Sequence, residues 1–102
     1  MSNTYQIFLI SDSTGETLDR IFLSLKAQFQ NIEYKVNSYS FTRTENQVLK
    51  ILDIAKKEKN SIILYTIVDN NLAKFLANKS DEKKIPCFGV LGSLILSFSK
   101  LF

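Results

Sequence analysis

The sequence predicts an α/β fold: a small open parallel sheet of four strands, βαβαβαβα, in the order 2-1-3-4, with helices on both faces. Three observations lead there. Apolar runs of strand length alternate four times with stretches whose apolar residues recur at helical spacing. Right-handed crossovers convert that alternation into a parallel sheet covered on both sides. The second run mixes apolar and polar positions, whereas the first and third are nearly all apolar, which sets the second at an edge.

The first strand is read at residues 6–10, Gln6-Ile7-Phe8-Leu9-Ile10, which are apolar without alternation after Gln6. Leu18, Ile21, Phe22, Leu25 and Phe29 follow as one helical stripe. Ser13 and Glu16 have the spacing of a capping box and are expected to start that helix. From Ile32, the residues Ile32, Tyr34, Val36 and Ser38 alternate with Glu33, Lys35, Asn37 and Tyr39, giving the edge strand. Thr42 with Glu45, or Thr44 with Gln47, can cap the next helix, whose buried stripe is Val48, Ile51, Leu52 and Ala55.

Ser61–Val68 is β-branched and nearly all apolar, so it is the central third strand. Asp69 and Asn70 stop it and cap a short helix carrying Leu72, Phe75 and Leu76. Residues 78–84 read as a solvated connection. Pro86 can open a strand over 85–90, and Gly92-Ser93 begins the last helix. That segment, Leu94–Phe102, stays apolar to its end, so it is expected either to continue into a longer protein or to self-associate. The first is preferred.

Composition bounds the function. With 102 residues the chain is one domain, and 45% apolar with 23% charged residues is ordinary for a globular protein. The formal charge of +3 comes mostly from scattered lysines, and its densest cluster, Lys56–Lys59, suits a helix C-terminus better than a nucleic-acid surface. The absence of histidine removes His-based catalysis and the ordinary zinc sites, so no metal site is expected. Cys87 is the sole cysteine and fits a buried structural thiol. Without a signal peptide or an apolar run of membrane length, the expected setting is the cytoplasm, with no membrane partner.

In the order 2-1-3-4, ligands belong at the switch point between the first and third strands. The loops there are Asp12–Thr17 and Thr66–Asn70. Amides at the start of the first helix, with the hydroxyls of Ser13, Thr14 and Thr17, can hold a phosphate, and Gly15 allows close approach. Arg43 leaves the second strand at the same sheet edge and can contact phosphate or carboxylate bidentately. Asp69 can bind magnesium or a ribose hydroxyl, or simply cap a helix. Thr66 lies in a buried run. Asp12 and Glu16 oppose an anion, and Glu16 with Arg20 can pair at i,i+4. On these residues alone the loop reads equally as anion site and as structural turn. A Walker A sequence is absent.

Four segments together resemble a known family: Ile7–Thr17, Phe41-Thr42-Arg43-Thr44, Tyr65-Thr66-Ile67-Val68-Asp69, and Ile85-Pro86-Cys87 with Leu91-Gly92. In order and spacing they are similar to the N-terminal domain of the pyruvate, phosphate dikinase / phosphoenolpyruvate synthase regulatory proteins, which are bifunctional serine/threonine kinases and pyrophosphorylases. The resemblance implies ADP and phosphate as substrates of the family, with the dikinase or the synthase as partner and reversible threonine phosphorylation as the reaction. It also implies that the nucleotide P-loop belongs to a C-terminal domain this chain does not carry. The chain by itself is therefore expected to hold no cofactor and to transfer no phosphoryl group. Asp12, Ser13, Thr14, Gly15, Thr17, Arg43, Thr66 and Asp69 are its candidate phosphate- or partner-binding residues. A stand-alone domain with only a binding or structural role is the alternative.

Overall fold

A computed structural model describes residues 4–102. The elements run β1 (Tyr5–Ser11), α1 (Glu16–Lys26), β2 (Tyr34–Tyr39), α2 (Glu45–Lys57), β3 (Ser61–Thr66), α3 (Asn70–Glu82), β4 (Cys87–Gly89) and α4 (Gly92–Leu101). All strand pairs are parallel and the sheet order is β2-β1-β3-β4. The α/β class, the strand count and the order agree with the sequence reading.

The unbroken apolar run of β1 is explained by its central place. Its residues 8 and 10 enter one core with Val48, Ile51, Leu52 and Ala55 of α2 and Leu72 and Leu76 of α3. Its residues 7 and 9 enter a second, smaller core with Leu18 and Phe22 of α1 and Leu64 of β3. Alternate residues of one strand thus supply both faces. The second core is thinner because α1 faces it without the paired helices found opposite. Leu25 and Phe29, expected on the stripe of α1, are exposed; the helix ends at Lys26, so Phe29 lies beyond it.

The helix ends differ from expectation in instructive ways. Thr44, not Thr42, caps α2: its hydroxyl accepts from the Gln47 amide at 3.1 Å, and Gln47 Oε1 accepts from the Thr44 amide at 3.0 Å, completing a capping box. Residues 78–82 are helical rather than a loose connection. Ser80 continues the inward stripe of Leu72 and Leu76, and the helix closes only beyond Lys83. There Lys84 adopts φ 59°, its amide donates to Asp81 O, and the Ile85 amide donates to Ser80 O. This is a Schellman closure with Ile85 buried beneath it.

Strand β3 stops at Thr66, two residues earlier than expected. Ile67 remains buried while Val68 turns outward, 67% exposed. β4 is three residues long, flanked by further ladder-like bonds from the Ile63 amide to Pro86 O and the Val90 amide to Tyr65 O. Helix α4 contains no buried residue; Leu94, Leu96, Phe98 and Leu101 all face solvent.

Candidate functional site

Three loops meet at the carboxyl edge of β1, β2 and β3. The loop after β2 clamps the loop after β1 through two backbone bonds, Thr42 N–H to Ser11 O at 2.8 Å and Phe41 N–H to Ser13 O at 2.9 Å. Arg43 Nε then donates to Asp12 O at 3.0 Å. On the other side, the Asp12 amide donates to Thr66 O at 3.2 Å, and the Asp12 carboxylate accepts the Val68 amide at 2.8 Å. Asp12 is the hub that ties the ends of β2 and β3 to β1. Its carboxylate is turned toward the β3 loop and is engaged there, which weakens its opposition to an anion in front of α1.

The start of α1 corrects the expected capping box. The N-cap is Gly15, in the left-handed region at φ 87°, and no side chain caps the helix. Ser13 is held instead by Ser11: its amide donates to Ser11 Oγ at 3.1 Å, and the two hydroxyls lie 3.3 Å apart. Ser11 is almost fully buried, so this local bond competes successfully with capping. Thr14 Oγ1 accepts from the Glu16 amide at a long 3.5 Å. The amides of Thr17 and Leu18 belong to the first helical turn, where no intrahelical partner exists. With their helix uncapped, they are the donors an anion would use.

Arg43 is tied to the loop that leads into this turn, through the Asp12 carbonyl. Its guanidinium carbon lies 5.2 Å from the centroid of the Phe41 ring. Among the described residues the ion pairs are Lys79–Glu82 and Lys83–Asp53, so neither Arg43 nor the Glu16/Arg20 couple forms one. A cavity of about 50 Å³ opens between α1 and the end of β2, lined by Leu9, Leu18 and Tyr39 as well as Thr14, Gly15, Asp19, Ser38 and Ser40. Glu16 and Asp19 keep negative charge in the first turn of α1, where it suits the helix dipole.

The remaining candidates have structural duties. Thr66 is buried, and its carbonyl receives the Asp12 amide. Asp69 caps α3, accepting from the Asn71 and Leu72 amides at 2.9 and 3.1 Å. Among the described residues no cluster of three or more His, Cys, Asp or Glu side chains could hold a metal ion. Asp12, Ser13, Thr14, Gly15 and Arg43 are thus brought together with the start of α1 at Thr17, while Thr66 and Asp69 brace the neighbouring loop. Phe41, Gln47 and the Val68 amide complete the arrangement; the sequence offered Gln47 as the capping partner of Thr44 and gave no sign of the roles of the other two.

Away from this edge, burial pushes the Cys87 thiol above its ordinary range, and the neighbouring Ser80 only partly offsets this. The fully buried Ser80 hydroxyl has no partner of ordinary hydrogen-bond geometry. Burial, and then Cys87 beside it, also raises the Tyr65 phenol. No helix among the described residues is long and apolar enough to cross a membrane.

Comparison with known proteins bears on all of these loops. The sequence pattern of the kinase/pyrophosphorylase family matches residues 7–102. A Pelagibacter ubique protein named as a pyruvate, phosphate dikinase regulatory protein is 78% identical over 101 residues, covering 99% of this chain and 37% of that protein. Proteins named likewise from Ehrlichia chaffeensis and Agrobacterium fabrum are 35% and 38% identical over 98 and 91 residues. These alignments cover 96% and 89% of this chain, but 36% and 33% of the relatives. The chain thus spans about a third of the length of the curated relatives it matches. With the four-stranded parallel fold and a match over nearly its whole length, the chain belongs to the kinase/pyrophosphorylase family, of whose dikinase regulatory proteins it resembles the N-terminal domain.

Proposed function

We propose that this chain supplies a phosphate-facing wall of a bifunctional kinase/pyrophosphorylase. That enzyme would regulate pyruvate, phosphate dikinase or phosphoenolpyruvate synthase in the cytoplasm by reversible threonine phosphorylation, with ADP and inorganic phosphate as substrates. The observation that carries the reading is Arg43, held by the Asp12 carbonyl in the loop that leads into the uncapped α1, with no carboxylate partner among the described residues. Its guanidinium would take two phosphate oxygens, the Thr17 and Leu18 amides a third, and the hydroxyls of Ser13 and Thr14 would flank them. Asp12, Gly15, Thr66 and Asp69 hold the loops in place.

Following the family resemblance, the nucleotide is assigned to another part of such an enzyme, and this chain to the phosphate and the partner. The apolar face of Leu94–Phe102 is assigned to contact with that other part; concentration-dependent sedimentation of this chain would reveal self-association instead. The site itself is tested by titrating the isotope-labelled chain with millimolar inorganic phosphate. The amides from Ser13 to Leu18 should shift in wild type and stay fixed in Arg43→Ala. Unchanged wild-type amides would sink the reading.

A further inference from the structure

We propose that Phe41 is a positioning residue: its ring, working against the Asp12 carbonyl, sets the Arg43 guanidinium for oxyanion capture. The proposal rests on reading this edge as a phosphate wall, and it adds a residue with no chemistry of its own.

The backbone is the first observation. Among the described residues three besides glycine have positive φ: Phe41 at 52°, Asn60 at 59° and Lys84 at 59°. Asparagine tolerates that region, and Lys84 ends α3 in a Schellman closure. Phe41 has neither excuse, because it follows a strand and is bulky. Its conformation is imposed from both sides, by its amide on Ser13 O and by Gln47 Nε2 donating to its carbonyl at 3.3 Å. Residues held in that region cluster at functional sites.

The ring is the second observation. It is 50% exposed and belongs to neither core, and the Arg43 guanidinium carbon lies 5.2 Å from its centroid. The third is the arginine itself. Asp12 O takes Nε, the ring takes the face, and the terminal nitrogens have no partner among the described residues. A planar fork held at two points, with its outer edge free, loses less freedom on meeting an oxyanion than a mobile arginine does.

The test is phosphate titration of the labelled 102-residue chain at constant ionic strength, following the Arg43 Nε–Hε signal and the amides from Ser13 to Leu18. Phe41→Leu keeps apolar bulk without the ring and should weaken phosphate about two- to fivefold, the loss expected for an exposed cation–π contact. Phe41→Trp should restore binding. Phe41→Gly relaxes the backbone, keeps the fold and should weaken phosphate by at least as much as Phe41→Leu. A wild-type response that Arg43→Ala abolishes but Phe41→Leu and Phe41→Gly leave unchanged would overturn the positioning role while the phosphate wall stands. Failure of Phe41→Trp to restore binding would also overturn it. Absence of any wild-type response would overturn the wall and the positioning role together.

Discussion

Replacing Gly15 with alanine isolates the backbone conformation at the start of α1. A Cβ there would meet Ser11 Cβ at 3.8 Å, an ordinary contact, so space is not the obstacle. The obstacle is φ 87°, which an L-residue reaches at a cost of roughly 1–2 kcal/mol. Alanine also narrows the unfolded ensemble, returning about 0.4–1 kcal/mol. The net loss is about 1 kcal/mol, which in a domain of this size lowers Tm by roughly 4–8 °C. Thermal unfolding followed by circular dichroism measures it, with Gly15→Asn as a milder variant because asparagine tolerates the left-handed region. Gly92→Ala is the internal control. Gly92 lies at the first turn of α4 with open space around it and without positive φ, so alanine there should be neutral or slightly stabilising. If Gly15→Ala matched Gly92→Ala, the left-handed N-cap would be wrong, and with it the exposed first-turn amides on which the phosphate wall depends.

Thr44→Ala should remove the capping box of α2 and cost about 1 kcal/mol, read as a lower urea midpoint at unchanged m-value. Cys87 should make stability pH-dependent in the alkaline range. Its thiol pKa is raised on folding, so the native state binds that proton more tightly than the unfolded chain. The contribution is complete below the unfolded thiol value of about 8.5 and is lost as pH rises through the folded value. Urea unfolding between pH 7 and 10 should show this fall, shallower in Cys87→Ser, and the native thiol should alkylate slowly at neutral pH. An equal slope in both proteins would assign the alkaline loss elsewhere, with Tyr65 next to be examined.

The order of elements was determined by the sequence alone. Apolar period distinguishes strand from helix within a few residues, and the contrast between β2 and the other long strands located the edge. With right-handed crossovers, that edge favoured the order 2-1-3-4, which is the one observed. The loops carrying Asp12–Thr17 and Arg43 were equally legible, because the strand order fixes where loops converge. Other features depended on partners far along the chain. Ser13 fails to cap α1 because the buried Ser11 hydroxyl engages it. The Asp12 carboxylate turns to an amide 56 residues away, a partner that nothing in its own loop indicates. Phe41 is forced to positive φ by bonds reaching Ser13 and Gln47, and no propensity favours a phenylalanine there. Leu25 and Phe29 continue the helical spacing of Leu18 and Phe22, yet Phe29 falls beyond the end of α1 and neither residue is buried, which spacing alone does not reveal. Periodicity acts over one or two turns and survives in the sequence. Which hydroxyl, carboxylate or ring finds which partner is settled when distant loops close on one another, and that closure at the carboxyl edge of the sheet builds the candidate site.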